Sequence, residues 1–155
     1  KPALAYLALK ELLGDVLFKK ALHEYMARWN GKHPIPWDFF NTFNDATGQN
    51  LNWFWNSWFF SPNYIDLKVQ EVKTAAGTTT LTVQNVGGMP VPFDAVVTYS
   101  DGTTESFRQT PAVWKKNGKA AVVPLKTKKP VASVKLEGGI FMDAAPEDNE
   151  WRKGA

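Results

Sequence analysis

Between Trp53 and Phe60, eight consecutive positions hold three tryptophans and three phenylalanines. Leu51, Phe54, Trp55, Trp58 and Phe59 recur at helical spacing and form one apolar stripe. Asn50 is a good N-cap just before the stripe, and Pro62 is a stop just after it. Each of these rings can bury roughly 150–250 Å². A helix this short cannot cover such a load by itself, so it must be clamped between other helices or against a partner.

The preceding residues supply the other helices. Residues 3–13 carry Leu4, Leu7, Leu9, Leu12 and Leu13 almost all round, which predicts a helix buried on several sides. Gly14-Asp15 breaks it. A second helix is predicted from about Val16 to Asn30, with Phe18, Leu22, Tyr25, Met26 and Trp29 as its inner stripe. Asn30-Gly31 ends it. Pro36 suits the first turn of a third helix, with Phe39, Phe40 and Phe43 inward and Gly48 as its stop. The short loops predict an antiparallel four-helix array.

The pattern changes at Ser61-Pro62-Asn63-Tyr64, after which β-branched residues alternate and Gly, Asn and Pro mark turns. Strands are predicted near 66–74, 79–86, 93–100, 103–109, 112–116, 119–125 and 131–137. Ser100-Asp101-Gly102 and Asn117-Gly118 are hairpin signals. Phe93, Ala95, Val97 and Tyr99 share one face, as do Ala121, Val123 and Leu125. The fold class expected is α + β in two parts, the helical array followed by an immunoglobulin-like antiparallel β-sandwich. The parts are 1–62, 66–142 and an acidic, loose tail at 143–155.

The chain has 155 residues, room for one large or two small domains, and 44% of them are hydrophobic, so a packed core needs no covalent staples. There is no cysteine, which excludes disulfides, thiolate metal sites and cysteine nucleophiles. A net charge of +3 is too small to argue for nucleic acid without a clustered basic face. Lys115, Lys116, Lys119, Lys126, Lys128 and Lys129 spread over predicted strands and turns, where they solvate exposed faces and discourage edge pairing. No run of membrane-spanning length is present.

The order of short words is informative. Leu12-Leu13-Gly14-Asp15 is followed by Phe18, by His33-Pro34 and Asp38-Phe39, and then by Thr47-Gly48-Gln49-Asn50-Leu51 leading into the Trp-Phe-Trp run. This order resembles the last helices of the catalytic domain in gluzincin zinc aminopeptidases, the aminopeptidase N and leukotriene hydrolase type. The likeness covers residues 1 to about 65, and residues 66–155 resemble the β-sandwich that follows that domain in bacterial members. It implies a parent that removes N-terminal residues from peptides, with zinc and the catalytic groups in an N-terminal part. In that family the catalytic tyrosine belongs to a Tyr-x-Lys word, which would place it two residues before Lys1. The resemblance favours an extracytoplasmic location, periplasmic or secreted. The partners implied are the N-terminal catalytic domain and the parent's peptide substrates, with self-association through the helical part as a further expectation.

Family chemistry rests on His-Glu-x-x-His, two histidines one helical turn apart on zinc and a glutamate that activates water. Here His23-Glu24-Tyr25-Met26-Ala27 begins that word and ends it in alanine, and His33 is too far along to stand in on the same face. No catalytic, metal-binding or cofactor-binding residue is therefore assigned within the chain, and no cofactor is expected in it. Asp143, Asp148 and Asn149 offer oxygens to calcium but do not match an EF-hand loop. Ser57 and Ser61 have no basic residue at a suggestive spacing. The contrasting reading is a non-enzymatic carbohydrate-binding or adhesion module that uses its aromatics as a sugar platform. Five of the seven tryptophans fall in predicted helices, whereas such platforms sit on sheet faces or loops, so the spacing favours a core.

Overall fold

Proline opens two of the four helices, at a position where the missing N–H has no intrahelical partner to lose. In the computed structural model, which describes residues 1–75 and 77–154, these are α1 (Pro2–Leu13) and α3 (Pro36–Thr47). Between them lies α2 (Asp15–Trp29), and α4 (Asn52–Phe59) follows. Gly48 closes α3 in the left-handed region, with φ 64°. At its start Asp38 Oδ2 accepts the Ile35 N–H at 2.8 Å. Asn50 Oδ1 accepts the Asn52 N–H at 3.0 Å and so caps α4 from one residue outside it. The chain divides into two compact units, Lys1–Pro62 and Asn63–Ala155.

The helical unit is built on stacked rings. Leu51, Phe54, Trp55 and Trp58 are buried, as the stripe predicts. Phe40 and Phe43 of α3 are buried with them, and Phe40 lies 4.8 Å and Phe39 5.9 Å from Trp55 between ring centroids. Two expectations fail here. The first helix is not buried on several sides: Ala5, Ala8 and Leu9 are, while Tyr6 and Leu7 are exposed. The second helix does not turn its whole predicted stripe inward either. Ala21 is its buried residue, Phe18 and Tyr25 reach Phe43 and Phe39, and Leu22 and Met26 face out. Small residues at the contact let the helices approach, so the covered face is centred on alanines rather than on the largest side chains.

The second unit holds β1 (Leu67–Ala75), β2 (Thr78–Asn85), β3 (Phe93–Tyr99), β4 (Thr104–Gln109), β5 (Ala120–Leu125), β6 (Val131–Glu137) and β7 (Glu150–Arg152). They form two antiparallel sheets, ordered β1-β2-β5 and β4-β3-β6-β7. The described residues thus form a mixed α + β fold of four α-helices and two antiparallel sheets. Phe93, Ala95, Val97 and Tyr99 are buried from one face of β3, and Ala121, Val123 and Leu125 from one face of β5. Pro124 sits on the edge strand β5, where its missing donor breaks no further ladder. The Ser100-Asp101-Gly102 signal does make the β3–β4 hairpin: Gly102 has φ 83°, and Asp101 Oδ1 accepts the Thr103 N–H at 3.0 Å.

Residues 112–116, expected as a strand, form none: Pro111–Trp114 is a 3₁₀ turn, and Lys115 and Lys116 follow it in a bend. Pro111 fixes the first φ, and Thr110 Oγ1 accepts the Ala112 N–H. Trp114 is thereby turned inward, and its indole donates to the Val91 carbonyl at 2.9 Å. With no strand before it, Asn117-Gly118 makes no hairpin; Asn117 Oδ1 accepts the Lys119 N–H in a local turn. The loose acidic tail is also corrected. Asp143 Oδ2 accepts the Leu67 N–H at 2.7 Å, a second 3₁₀ turn spans Pro146–Asp148, and β7 pairs with β6.

Candidate functional site

His23 and Glu24 lie on the solvent side of α2. Glu24 Oε1 accepts from Arg28 Nε at 2.7 Å, and Arg28 also reaches Asp45 Oδ2 at 2.9 Å. The truncated zinc word is thus the acidic end of a surface ion-pair network, and His33 is exposed in a separate turn. Ser57 and Ser61 donate to backbone carbonyls of their own helix segment, at 3.2 and 2.6 Å. Among the described residues no three His, Cys, Asp or Glu side chains gather as a metal-holding group, and no helix is long and apolar enough to cross a membrane.

The helical unit offers an apolar groove of about 370 Å³ whose walls include Tyr6, Tyr25, Ile35, Phe39, Phe40 and Phe59. Beside it Trp37 and Phe60 stack at 4.9 Å and 7°, each 52% exposed. One polar side chain fixes Trp55, which packs against the groove residues Phe39 and Phe40. Asn44 Oδ1 accepts from the Trp55 indole at 3.1 Å and from the Leu51 N–H at 3.2 Å, while Asn44 Nδ2 donates to Asn52. Sequence reading missed Asn44. Its only signal is an amide in the last turn of a helix that otherwise presents phenylalanines.

In the β unit a cleft of about 390 Å³ is lined by Thr79, Thr127, Lys128, Lys129 and Lys153. Its buried hydroxyls, Thr79 and Thr127, bond each other at 3.0 Å. Lys129 is paired with Asp101 at 2.6 Å and Lys128 with Glu105 at 3.4 Å. These pairs agree with the reading of the lysines as solvated surface charges.

At the start of β1 the acidic residues singled out above meet one that sequence reading passed over. Asp66 is buried, and its backbone carbonyl is fixed by the N–H groups of Val86 and Gly87, at 2.8 and 3.1 Å. Burial raises its pKa first, and the charges of Asp143, Asp148 and Glu147 raise it further against a hydrogen bond from Tyr64. Asp143 is fully engaged, with Oδ2 on the Leu67 N–H and Oδ1 on the Ala145 N–H. Asp148 Oδ2 lies 3.5 Å from Lys68 Nζ. Asp66 Oδ1, Asp148 Oδ1 and Asn149 Oδ1 are buried and accept no hydrogen bond. The one sequence signal for Asp66 is a carboxylate between Ile65 and Leu67 at the entry to a strand.

No protein-family model and no curated protein sequence matches the chain. Among solved structures it is similar to the crystal structure of Legionella pneumophila aminopeptidase A in complex with aspartic acid. The match has a TM-score of 0.58 and 16% identity and covers 81% of this chain. At that identity the likeness is one of fold: this chain has an aminopeptidase-like fold. It spans about 14% of the length of that aminopeptidase.

Proposed function

We propose that this chain is the C-terminal part of a zinc metallo-aminopeptidase-like protein of the gluzincin kind. The observation that carries the reading is the likeness of fold to part of an aminopeptidase over 81% of the chain. The ordered words between Leu12 and Trp55 support it independently of the fold. In this reading residues 1–62 are the helical end of the catalytic domain, an antiparallel array, and residues 66–142 are an immunoglobulin-like sandwich that braces it. The strand orders β1-β2-β5 and β4-β3-β6-β7 support the sandwich reading. The parent hydrolyses N-terminal residues from peptides with zinc-activated water held in its N-terminal part. The present residues wall that domain and contribute no zinc ligand or proton-transfer group. The exposed apolar side chains of α1 and α2 support an N-terminal catalytic partner, because burying such a face is favourable at roughly 25 cal/mol per Å².

The test compares residues 1–155 with the same chain extended upstream of Lys1. The extended protein should hold one zinc per chain after dialysis and release amino acids from aminoacyl amides, and residues 1–155 should do neither. An upstream sequence without His-Glu-x-x-His, a later glutamate and a Tyr-x-Lys ending would refute the reading. So would stoichiometric zinc on His23 in the short chain. The half-exposed stack of Trp37 on Phe60 favours a second reading, a carbohydrate-binding module. That reading requires polysaccharide binding by residues 1–155 that is lost in Trp37→Ala.

A further inference from the structure

We propose that Asp66, Asp148 and Asn149 form a site for a hard divalent cation, calcium by the chemistry of its donors, a proposal that does not depend on the peptidase reading. Three buried oxygens at the start of β1 accept nothing, and two of them belong to carboxylates. Asp66 is 7% and Asn149 5% exposed, so bulk water does not make up the deficit. A buried acceptor without a donor keeps its desolvation penalty uncompensated, and the penalty is larger when the group is charged. A cation bound among them would relieve the repulsion between Asp66 and the neighbouring Asp143, Asp148 and Glu147.

The donors select among ions. All three are oxygens, and no cysteine exists in the chain, so the soft and nitrogen-seeking metals have no preferred ligand here. Calcium takes 6–8 oxygens in flexible geometry and accepts neutral amide oxygens beside carboxylates, whereas magnesium demands a near-ideal octahedron. Water completes the shell. The segment that carries the donors is already shaped: Asp143 ties it to β1, the Ala144 N–H donates to the Ile65 carbonyl at 2.9 Å, and the Asn149 carbonyl accepts the Leu136 N–H at 2.8 Å. Only two carboxylate ligands are present, and no cage of three acidic side chains forms among the described residues. Affinity should therefore fall in the weak range, with Kd about 10⁻⁴–10⁻³ M.

The experiment is calcium titration calorimetry on the full chain after chelation, with thermal melting at calcium about tenfold above that range and at matched magnesium. Terbium luminescence excited through tryptophan reports proximity, since Trp151 is two positions beyond Asn149. The expected result is one calcium per chain, a rise in Tm with calcium and not with magnesium, and sensitised terbium emission that calcium displaces. Asp148→Asn should abolish all three. Lys68→Gln removes only the ion pair at 3.5 Å and should keep them. Absence of binding heat and of any calcium-dependent Tm shift would overturn the proposal. So would an Asp66→Asn variant that melts higher by the same margin in chelator and in calcium, because the buried charge would then be relieved by neutralisation alone.

Discussion

The helical unit and the β unit solve the same problem with different success. Thirteen large hydrophobic side chains are exposed among the described residues, and eight of them (Tyr6, Leu7, Val16, Leu22, Met26, Ile35, Trp37 and Phe60) lie in the helical unit, although it is the shorter of the two. In the β unit the exposed ones are Val122 on the outer face of β5 and the loop residues Tyr64, Val86, Ile140 and Met142. Their polar orphans differ as well. Among the described residues the helical unit buries one unpartnered side-chain donor, the Trp53 indole N–H, while the β unit buries three unpartnered side-chain acceptors in an acidic setting. A strand presents every second side chain to one face, so a two-sheet unit can close its core with its own residues. A four-helix unit of sixty-two residues leaves much of its apolar surface uncovered, because small units bury only about 60% of the surface that their unfolded chains expose. The helical unit thus has an interior of its own and an outer face that keeps Tyr6, Leu7, Val16, Leu22 and Met26 exposed.

The largest effects should come from the central indoles, and they separate the two cores. Trp55→Ala and Trp114→Ala should each cost about 3–5 kcal/mol in urea unfolding, as large-to-small core changes do. Trp→Phe should distinguish them. Both indoles donate a hydrogen bond, Trp55 to Asn44 and Trp114 to the Val91 carbonyl. Asn44 Oδ1 keeps the Leu51 N–H when Trp55 is replaced. Trp114→Phe removes the indole donor from a buried carbonyl and should cost about 1–3 kcal/mol for that loss. Trp55→Phe should cost less. Equal costs would mean that the indole hydrogen bonds do not distinguish the two cores.

The second prediction concerns the outer faces. Val16→Lys, Leu22→Gln and Met26→Lys replace exposed side chains of α2 and should each change stability by no more than about 0.5 kcal/mol. Together they should lower self-association of residues 1–155, read as the mass from light scattering at rising concentration. Val122→Lys, on the exposed face of β5, is the control and should leave that mass unchanged. If the triple variant unfolds, or if it associates as the parent chain does, α2 has no outer docking face and the contrast between the units collapses.

Much of this was legible in the chain. Gly14, Pro36 and Gly48 mark helix ends by covalent geometry alone, and the tryptophan stripe fixes its own buried face because its rings are too large to lie anywhere else. The inner faces of α1 and α2 were not legible. Periodicity reports an apolar side, but the neighbouring helices decide which part of it they cover, and here the contact follows Ala5, Ala8 and Ala21. The turn at Pro111–Trp114 was hidden because Val113 and Trp114 have strand preferences that Pro111 and the buried indole bond override. Strand β7 is three residues, Glu150–Arg152, and owes its existence to pairing with Ser133–Lys135. Nothing local in an acidic stretch announces such a distant partner. Asp66 was unreadable for the same reason, since its acidic neighbours lie about eighty residues away along the chain.

The smallest predicted effect tests the difference between a word and a site. Ala27→His completes His-Glu-x-x-His in the sequence. Ala27 is exposed on α2, one turn beyond the exposed His23, so the change should leave stability within about 0.5 kcal/mol. It should not create a peptidase. Catalytic zinc needs three protein ligands and an open position, and this face would supply two. Glu24, which would have to act on a zinc-bound water, already accepts from Arg28 at 2.7 Å, and Arg28 is held in turn by Asp45. Weak zinc uptake without hydrolysis of aminoacyl amides is the expected outcome. Removing the competitor as well, in Arg28→Ala with Ala27→His, frees the glutamate but still adds no third ligand, so hydrolysis should stay absent. Measurable hydrolysis in either variant would mean that the surface of α2 already holds a third ligand and a place for substrate, and the assignment of catalysis to an N-terminal part would fall.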